Sequence, residues 1–120
     1  TRMTKPPRIF HVNWFRQDAN GKFLWPGYGE NLRVIKWIVD RCLSTGAATE
    51  TPIGYIPGPG GIDMSGLSLS SGVVEQLFAI DRNAWTDELN GHREFFQKFG
   101  DRLPKAMWDE YHALEERLAR

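Results

Sequence analysis

Five aromatic side chains fall within residues 13–31, and rings of this kind can bind a flat ligand. They are Trp14, Phe15, Phe23, Trp25 and Tyr28. A ring that stacks on a purine base contributes about 1–3 kcal/mol to binding, whichever base it is. Base identity must therefore come from hydrogen bonds to the edge of the base. Asn31 closes the segment, and its amide, which both donates and accepts, can match part of the guanine edge.

Two glycines of the same segment favour a ligand site. Gly27 and Gly29 flank Tyr28, and without side chains they let the main chain approach a ligand closely. Protein groups that are arranged to hydrogen-bond guanine would stay unpaired if adenine were bound. Unpaired polar groups are costly in a buried binding slot. A simpler interpretation is also open: the rings form an ordinary hydrophobic core and Asn31 is an ordinary helix cap. The residue pattern alone favours this simpler interpretation.

A β-hairpin over residues 8–28 is predicted to present the rings. The stretch RIFHVNWF alternates between two faces with the period of a strand. Asn20-Gly21 is a strong turn pair, and KFLW can return as the partner strand. Pro26 ends the pairing because proline cannot donate a hydrogen bond to the ladder. Trp14 and Trp25 are expected to support the slot.

Four helices are predicted after the hairpin, over residues 31–45, 72–80, 82–99 and 104–119. Asn31 and Asp81 are the predicted N-caps, and Gly46 is the predicted stop of the first helix. Cys42 falls on that helix's apolar stripe and is expected to be buried. The fold class is therefore α+β, and residues 1–120 show no boundary that would divide them.

Composition narrows the possible partners. The chain has 120 residues, which suits one domain, and its 15 basic residues balance its 15 acidic ones. This balance argues against a nucleic-acid or anionic-membrane partner. The single cysteine cannot form an internal disulfide, and no apolar stretch approaches the ~18 residues of a membrane span. We expect a cytoplasmic location. The chain begins with Thr1 and soon reaches strand-like sequence, which is typical of a segment of something longer.

No catalytic or metal site is predicted from the residue pattern. The three histidines lack carboxylate or cysteine partners at metal-ligand spacing, and His92 is expected to be a core histidine because it lies on an apolar helical stripe. The glycine-rich residues 58–61 are expected to form a flexible turn, since the sequence contains no G-x-x-x-x-G-K-[ST] phosphate loop.

The stretch FHVNWFRQDANGKFLWPGYGENLRVIKWIVDR strongly resembles the segment near the C-terminus of the GTP-dependent phosphoenolpyruvate carboxykinases. Members of that family carry a sequence close to N-W-F-R-x-D-x-x-G-K-F-L-W-P-G-F-G-E-N-x-R-V. The resemblance implies that the guanine of GTP lies between aromatic rings. It implies a guanine site formed by Phe15, Phe23, Tyr28, Gly29, Glu30 and Asn31. Asn31 would lie at the edge of the base, and Tyr28 stands where phenylalanine is commoner.

The resemblance also implies the reaction of the complete enzyme. GTP phosphorylates the enolate formed by decarboxylation of oxaloacetate, which gives phosphoenolpyruvate, CO2 and GDP in gluconeogenesis. Mn²⁺ would act at the active site and Mg²⁺ with the nucleotide, and both would be held by upstream residues. This chain would then be a C-terminal fragment of a larger mixed α/β carboxykinase fold. Its partners would be the guanine nucleotide and the rest of the chain, and alone it would be inert.

Two alternatives remain open. An aromatic-grooved module that binds proline-rich peptides could use Trp14, Trp25 and Tyr28. A purely structural helical domain with an edge hairpin would instead bury its rings completely.

Overall fold

Residues 3–120 are described by the computed structural model, and they divide into two compact units. Unit 1 holds the residues up to 49 together with 56–78, and unit 2 holds 50–55 together with 79–120. The sequence showed no boundary at which to divide the chain, whereas the structure groups its described residues into these two units. The reason lies in the buried side chains, which form two separate clusters rather than one core.

Unit 1 and the short sheet comprise five elements of secondary structure. They are a 3-10 turn at Tyr28–Glu30, α1 at Asn31–Cys42, β1 at Ala48–Thr51, β2 at Gly54–Pro57 and α2 at Ser71–Phe78. β1 and β2 pair as a two-stranded hairpin, whose short connection makes the strands antiparallel. The α+β class is therefore confirmed, although the hairpin lies after the first helix instead of before it.

The hairpin predicted over residues 8–28 is not formed. Within this range the only strand pairing among the described residues is an isolated antiparallel bridge between Gln17 and Phe23. A tight turn precedes the bridge partner: the Gly21 N–H donates to the Asp18 carbonyl over 3.0 Å, and Gly21 has a φ of 77° that suits glycine. The turn pair was thus predicted correctly, but the strands on either side of it separate after one bridge.

The period-two burial pattern persists in this segment without strand pairing. Phe10, Val12 and Trp14 pack against the core of unit 1, whereas the intervening side chains at positions 11, 13 and 15 are exposed. Phe10 meets Trp37 of α1 edge to face, with ring centroids 5.9 Å apart. Packing against α1, and not a partner strand, therefore holds the segment.

The core of unit 1 consists of four buried side chains, Trp25, Val34, Trp37 and Ile62. The Trp37 indole N–H donates to the Ala47 carbonyl over 2.7 Å, so this buried polar group is satisfied.

Helix α1 ends at Cys42, three residues before the predicted end at 45. Ser44 adopts a left-handed φ of 62°, and the N–H groups of Thr45 and Gly46 turn back to the Asp40 carbonyl over 2.9 and 3.1 Å. The chain therefore reverses before Gly46. Cys42 is exposed, so the prediction of a buried cysteine is wrong.

Unit 2 is built on two helices, α3 at Arg82–Gln97 and α4 at Lys105–Ala119, with a 3-10 turn at Gly100–Arg102 between them. Its core consists of the buried side chains Leu89, Tyr111 and Leu118. Asp81 caps α3 as predicted, because its carboxylate accepts from the N–H groups of residues 83 and 84. His92 is exposed and stacks on Phe96, so it is not the predicted core histidine.

No helix within residues 3–120 combines the length and the apolar character needed to cross a membrane.

Candidate functional site

Three rings of the aromatic segment are open to solvent. The exposed fractions are 72% for Phe15, 53% for Phe23 and 91% for Tyr28. Large apolar rings are usually buried in a folded domain, so rings left open together need an explanation. These three side chains do not belong to a hydrophobic core. The alternative of a structural domain with fully buried rings therefore does not fit this segment.

Phe15 and Phe23 contact each other edge to face. Their ring centroids are 6.0 Å apart and their planes are inclined by 65°. A base held between two parallel rings needs a separation of roughly 7 Å, twice the contact distance of about 3.5 Å. Phe15 and Phe23 therefore do not enclose a base between them in this conformation. Their outer faces are available for stacking.

The two tryptophans of the segment contribute to the core of unit 1, Trp25 as a buried member and Trp14 as a half-buried neighbour. Trp25 is only 7% exposed, and it packs with Val34 and Trp37. Trp14 is half-buried, with its ring centroid 6.1 Å from that of Trp25. A peptide-binding groove that uses Trp25 as an exposed wall does not fit this burial. Both tryptophans therefore anchor the segment to the core of unit 1.

The turn that follows leaves space around its main chain. Gly27 has a φ of 128°, a conformation that residues with a side chain rarely adopt. Residues 28–30 then form one 3-10 turn, with the Glu30 N–H donating to the Gly27 carbonyl over 3.1 Å. A Cβ added at Gly27 or Gly29 would meet no atom within 4 Å. A ligand can therefore approach this part of the main chain.

Asn31 does not cap α1, so the predicted cap is wrong. It is the first residue of the helix, Glu30 precedes it as N-cap, and no side chain caps the helix. The Asn31 Oδ1 instead accepts a hydrogen bond from the Trp25 indole Nε1 over 2.8 Å. The side-chain amide is therefore held from the core side of the segment.

Glu30 forms an ion pair with Arg33, with 2.6 Å between Oε2 and Nε. The guanidinium of Arg33 also donates to the Asp63 carbonyl over 2.7 Å. Hydrogen bonds from the Ser65 side chain and backbone hold the pKa of the Asp63 carboxyl below its usual value. These contacts tie the start of α1 to the loop at residue 63.

Unit 1 also contains two cavities that are lined by other residues. One, of about 360 Å³, lies among residues 49, 56–60, 62, 64, 74, 75 and 78. The other, of about 510 Å³, lies among residues 32, 33, 36, 37, 40, 45–47, 60, 61 and 63. Neither is lined by the predicted guanine-site residues. Among residues 3–120, no three His, Cys, Asp or Glu side chains are grouped in a way that could hold a metal ion.

Comparison with known proteins assigns the family. The family described as the phosphoenolpyruvate carboxykinase C-terminal P-loop domain, in its GTP-dependent form, matches residues 1–117. The chain belongs to this family. Sequence reasoning from the motif N-W-F-R to E-N-x-R-V therefore identified the family correctly.

Several curated relatives are named phosphoenolpyruvate carboxykinase [GTP]. The protein of Neocallimastix frontalis is 52% identical over 115 residues, which cover 95% of this chain and 19% of the relative. That of Anaeromyxobacter sp. (strain K) is 45% identical over 118 residues, covering 98% of this chain and 20% of the relative. That of Treponema pallidum (strain Nichols) is 47% identical over 113 residues, covering 93% and 18%. The chain thus spans about a fifth of these carboxykinases.

Sequence reasoning missed one contact of this carboxykinase segment, the hydrogen bond from Trp25 to Asn31. The two residues are separated by a turn of five residues, Pro-Gly-Tyr-Gly-Glu. A turn of this composition brings its two ends together, which was the one available signal.

Proposed function

We propose that this chain is the guanine-recognising part of a GTP-dependent phosphoenolpyruvate carboxykinase. The complete enzyme would convert oxaloacetate and GTP to phosphoenolpyruvate, CO2 and GDP in gluconeogenesis. The observation that carries the proposal is the exposure of Phe15, Phe23 and Tyr28 in a segment that ends at Asn31. Membership of the carboxykinase family, whose curated relatives are named for GTP, supports the choice of nucleotide.

The rings would supply affinity without choosing the base. Each exposed face that stacks on guanine would contribute about 1–3 kcal/mol. Phe15 and Phe23 would offer outer faces or separate when the base enters, since they touch edge to face in the structure described here. Tyr28 would supply the third ring.

Asn31 would choose the base. Its amide can donate to the guanine O6 and accept from the neighbouring N1–H, and this pairing suits guanine but not adenine. Gly29 and Glu30 would add main-chain contacts, because the space above this turn is open at Gly29.

Phosphate and metal binding would fall to the rest of the enzyme. Phosphoryl transfer needs cations and a phosphate-binding loop arranged around the transferred group. This sequence contains no G-x-x-x-x-G-K-[ST] motif. We therefore propose that the upstream part of the chain holds the triphosphate, Mn²⁺ and Mg²⁺, and that this segment alone is inert.

The decisive experiment is the substitution Asn31→Ala in the full-length enzyme. We expect the preference for GTP over ATP, measured as the ratio of kcat/KM values, to fall roughly 5- to 150-fold, the range set by about 1–3 kcal/mol for one bidentate base contact. ITP should follow GTP, because it lacks only the 2-amino group.

Asn90→Ala is the matched control, since Asn90 is an exposed asparagine on α3 of unit 2. It should leave the three kcat/KM values unchanged. An Asn31→Ala enzyme with unaltered ratios among GTP, ITP and ATP would refute the proposal.

A further inference from the structure

The orientation of the Asn31 amide is fixed by its partner. The Trp25 indole Nε1 lies 2.8 Å from Asn31 Oδ1. An indole N–H can donate a hydrogen bond but cannot accept one. The amide oxygen, and not the amide NH2, must therefore face the indole. This chemistry settles a choice between two flipped orientations that is usually ambiguous for asparagine.

The indole that imposes this choice is itself buried and packed in the core. Trp25 is buried among Val34 and Trp37, with the Trp14 ring beside it. A flip of the Asn31 amide would bring two donors face to face and leave a buried N–H group unpaired. Unpaired buried donors are strongly disfavoured. The core of unit 1 therefore fixes the orientation of the Asn31 amide through a single hydrogen bond.

A fixed orientation matters because guanine and adenine present opposite edges. Guanine shows the acceptor O6 beside the donor N1–H, whereas adenine shows the donor N6–H beside the acceptor N1. An amide free to rotate by 180° complements either edge. An amide held one way complements only one of them for a base seated in one position. The second lone pair of Oδ1 and both Nδ2–H donors stay available for the base.

We infer that Trp25 is a positioning residue for base selection, which holds the Asn31 amide in the orientation that accepts guanine and rejects adenine. This inference rests on the proposed function of Asn31. It assigns Trp25 a role through another residue and not a contact with the nucleotide.

The test removes only the indole N–H in the full-length enzyme. Replacing Trp25 by 3-benzothienylalanine keeps the bicyclic shape and substitutes sulfur for N–H. Trp25→Phe is the simpler second variant. We expect the ratio of kcat/KM for GTP to kcat/KM for ATP to fall, by at most the roughly 5- to 150-fold range of one bidentate contact. The fall should arise mainly because kcat/KM for ATP rises.

Trp37 supplies a matched control. It is equally buried in the same cluster, and its indole N–H donates over 2.7 Å to the Ala47 carbonyl instead of to an amide at the site. The same two replacements at Trp37 should lower stability without changing the GTP-to-ATP ratio. If general destabilisation caused the loss of base preference, the replacements at both Trp25 and Trp37 would show that loss. This result would overturn the inference.

Variants at both ends of the hydrogen bond separate the possible failures. If Asn31→Ala changes the base preference and the Trp25 replacements do not, the guanine site stands and the positioning role of Trp25 is wrong. If neither changes it, the proposed function fails as well. The double variant of Trp25→Phe and Asn31→Ala should show no greater loss of preference than Asn31→Ala alone.

Discussion

Two aromatic-rich regions of this protein use their rings in different ways. In unit 2, Phe96, Trp108 and Tyr111 meet one another edge to face, with centroids 5.5–6.4 Å apart, and Tyr111 is buried. In residues 13–31, Phe15 and Tyr28 are open to solvent. Both regions are rich in aromatic residues, so the presence of aromatic residues alone does not reveal a binding site. The number of ring partners and the exposure of the ring faces distinguish a core from a surface available to a ligand.

The polar residues at the starts of two helices differ in the same way. Asp81 caps α3 with its own carboxylate. Asn31 opens α1 without capping it, and its amide is held by Trp25. Similar residue types at similar positions therefore make different contacts: Asp81 caps a helix in unit 2, and Asn31 accepts a hydrogen bond from an indole in unit 1.

Removing a ring from the core of unit 2 should have the largest effect. We expect Tyr111→Ala to lower the free energy of unfolding by about 3–5 kcal/mol, as large aromatic truncations in cores do. It removes a buried ring and the hydroxyl oxygen to which the Arg93 side chain donates over 3.1 Å. Urea unfolding followed by tryptophan fluorescence measures this. A loss below about 0.5 kcal/mol, the range typical of surface sites, would break the comparison.

Removing an exposed ring should instead affect binding. We expect Phe15→Ala in the full-length enzyme to weaken GDP binding roughly 5- to 150-fold, equivalent to about 1–3 kcal/mol of lost stacking. The free energy of unfolding should change by less than about 1 kcal/mol, since the ring is exposed. Isothermal titration with GDP and urea unfolding measure the two effects separately.

Phe95→Ala is the matched control for this prediction. Phe95 is 54% exposed and contacts Phe99 edge to face at 5.2 Å, much as Phe15 contacts Phe23. GDP affinity should not change in this variant. An equal loss of affinity at Phe95 and Phe15 would mean that exposed ring pairs are not specific to the guanine site.

Removing the cap of α3 should have an intermediate effect. We expect Asp81→Ala to cost about 1 kcal/mol of unfolding free energy, within the usual 0.5–2 kcal/mol for a lost N-cap. Asp81→Asn should retain most of the stability because the amide oxygen still accepts from the helix N–H groups. Comparison of the two urea midpoints checks this, and equal losses would show that charge matters more than capping.

Removing the hydroxyl of Tyr28 should have the smallest effect. The side chain is 91% exposed, so we expect Tyr28→Phe to change GDP affinity by less than about twofold, within the usual ±0.5 kcal/mol of surface substitutions. The ring face, which would stack on the base, is kept. A tenfold change in titration would mean that the hydroxyl has a partner in the nucleotide complex.

Local features of the fold were readable from the sequence. The alternation of Phe10, Val12 and Trp14 predicted which side chains turn inward, and the turn at Gly21 and the cap at Asp81 also follow from residue type. Strand pairing over residues 8–28 could not be predicted in the same way. A period of two indicates one apolar face, but it does not say whether that face meets a strand or a helix.

Only part of the candidate site could be predicted from the sequence. The motif identified the family and named the rings, because side-chain types are explicit in the sequence. The contact made by the Asn31 side chain was less accessible, since an asparagine before an apolar run is typical of a cap. Which partner its side chain takes depends on Trp25, and the sequence does not state the geometry of the turn between them.

The β1–β2 hairpin affects how the two units could be expressed separately. Its outer ends are grouped with unit 1, whereas its tip is grouped with unit 2. Within unit 2, the Pro52 carbonyl accepts a hydrogen bond from the Arg117 side chain over 2.8 Å, and Ile53 packs against the buried cluster. A truncated gene that encodes only residues 79–120 would therefore lack both contacts. No single cut can yield the two units intact, and a separately expressed helical half would need the 50–55 peptide restored through a designed linker.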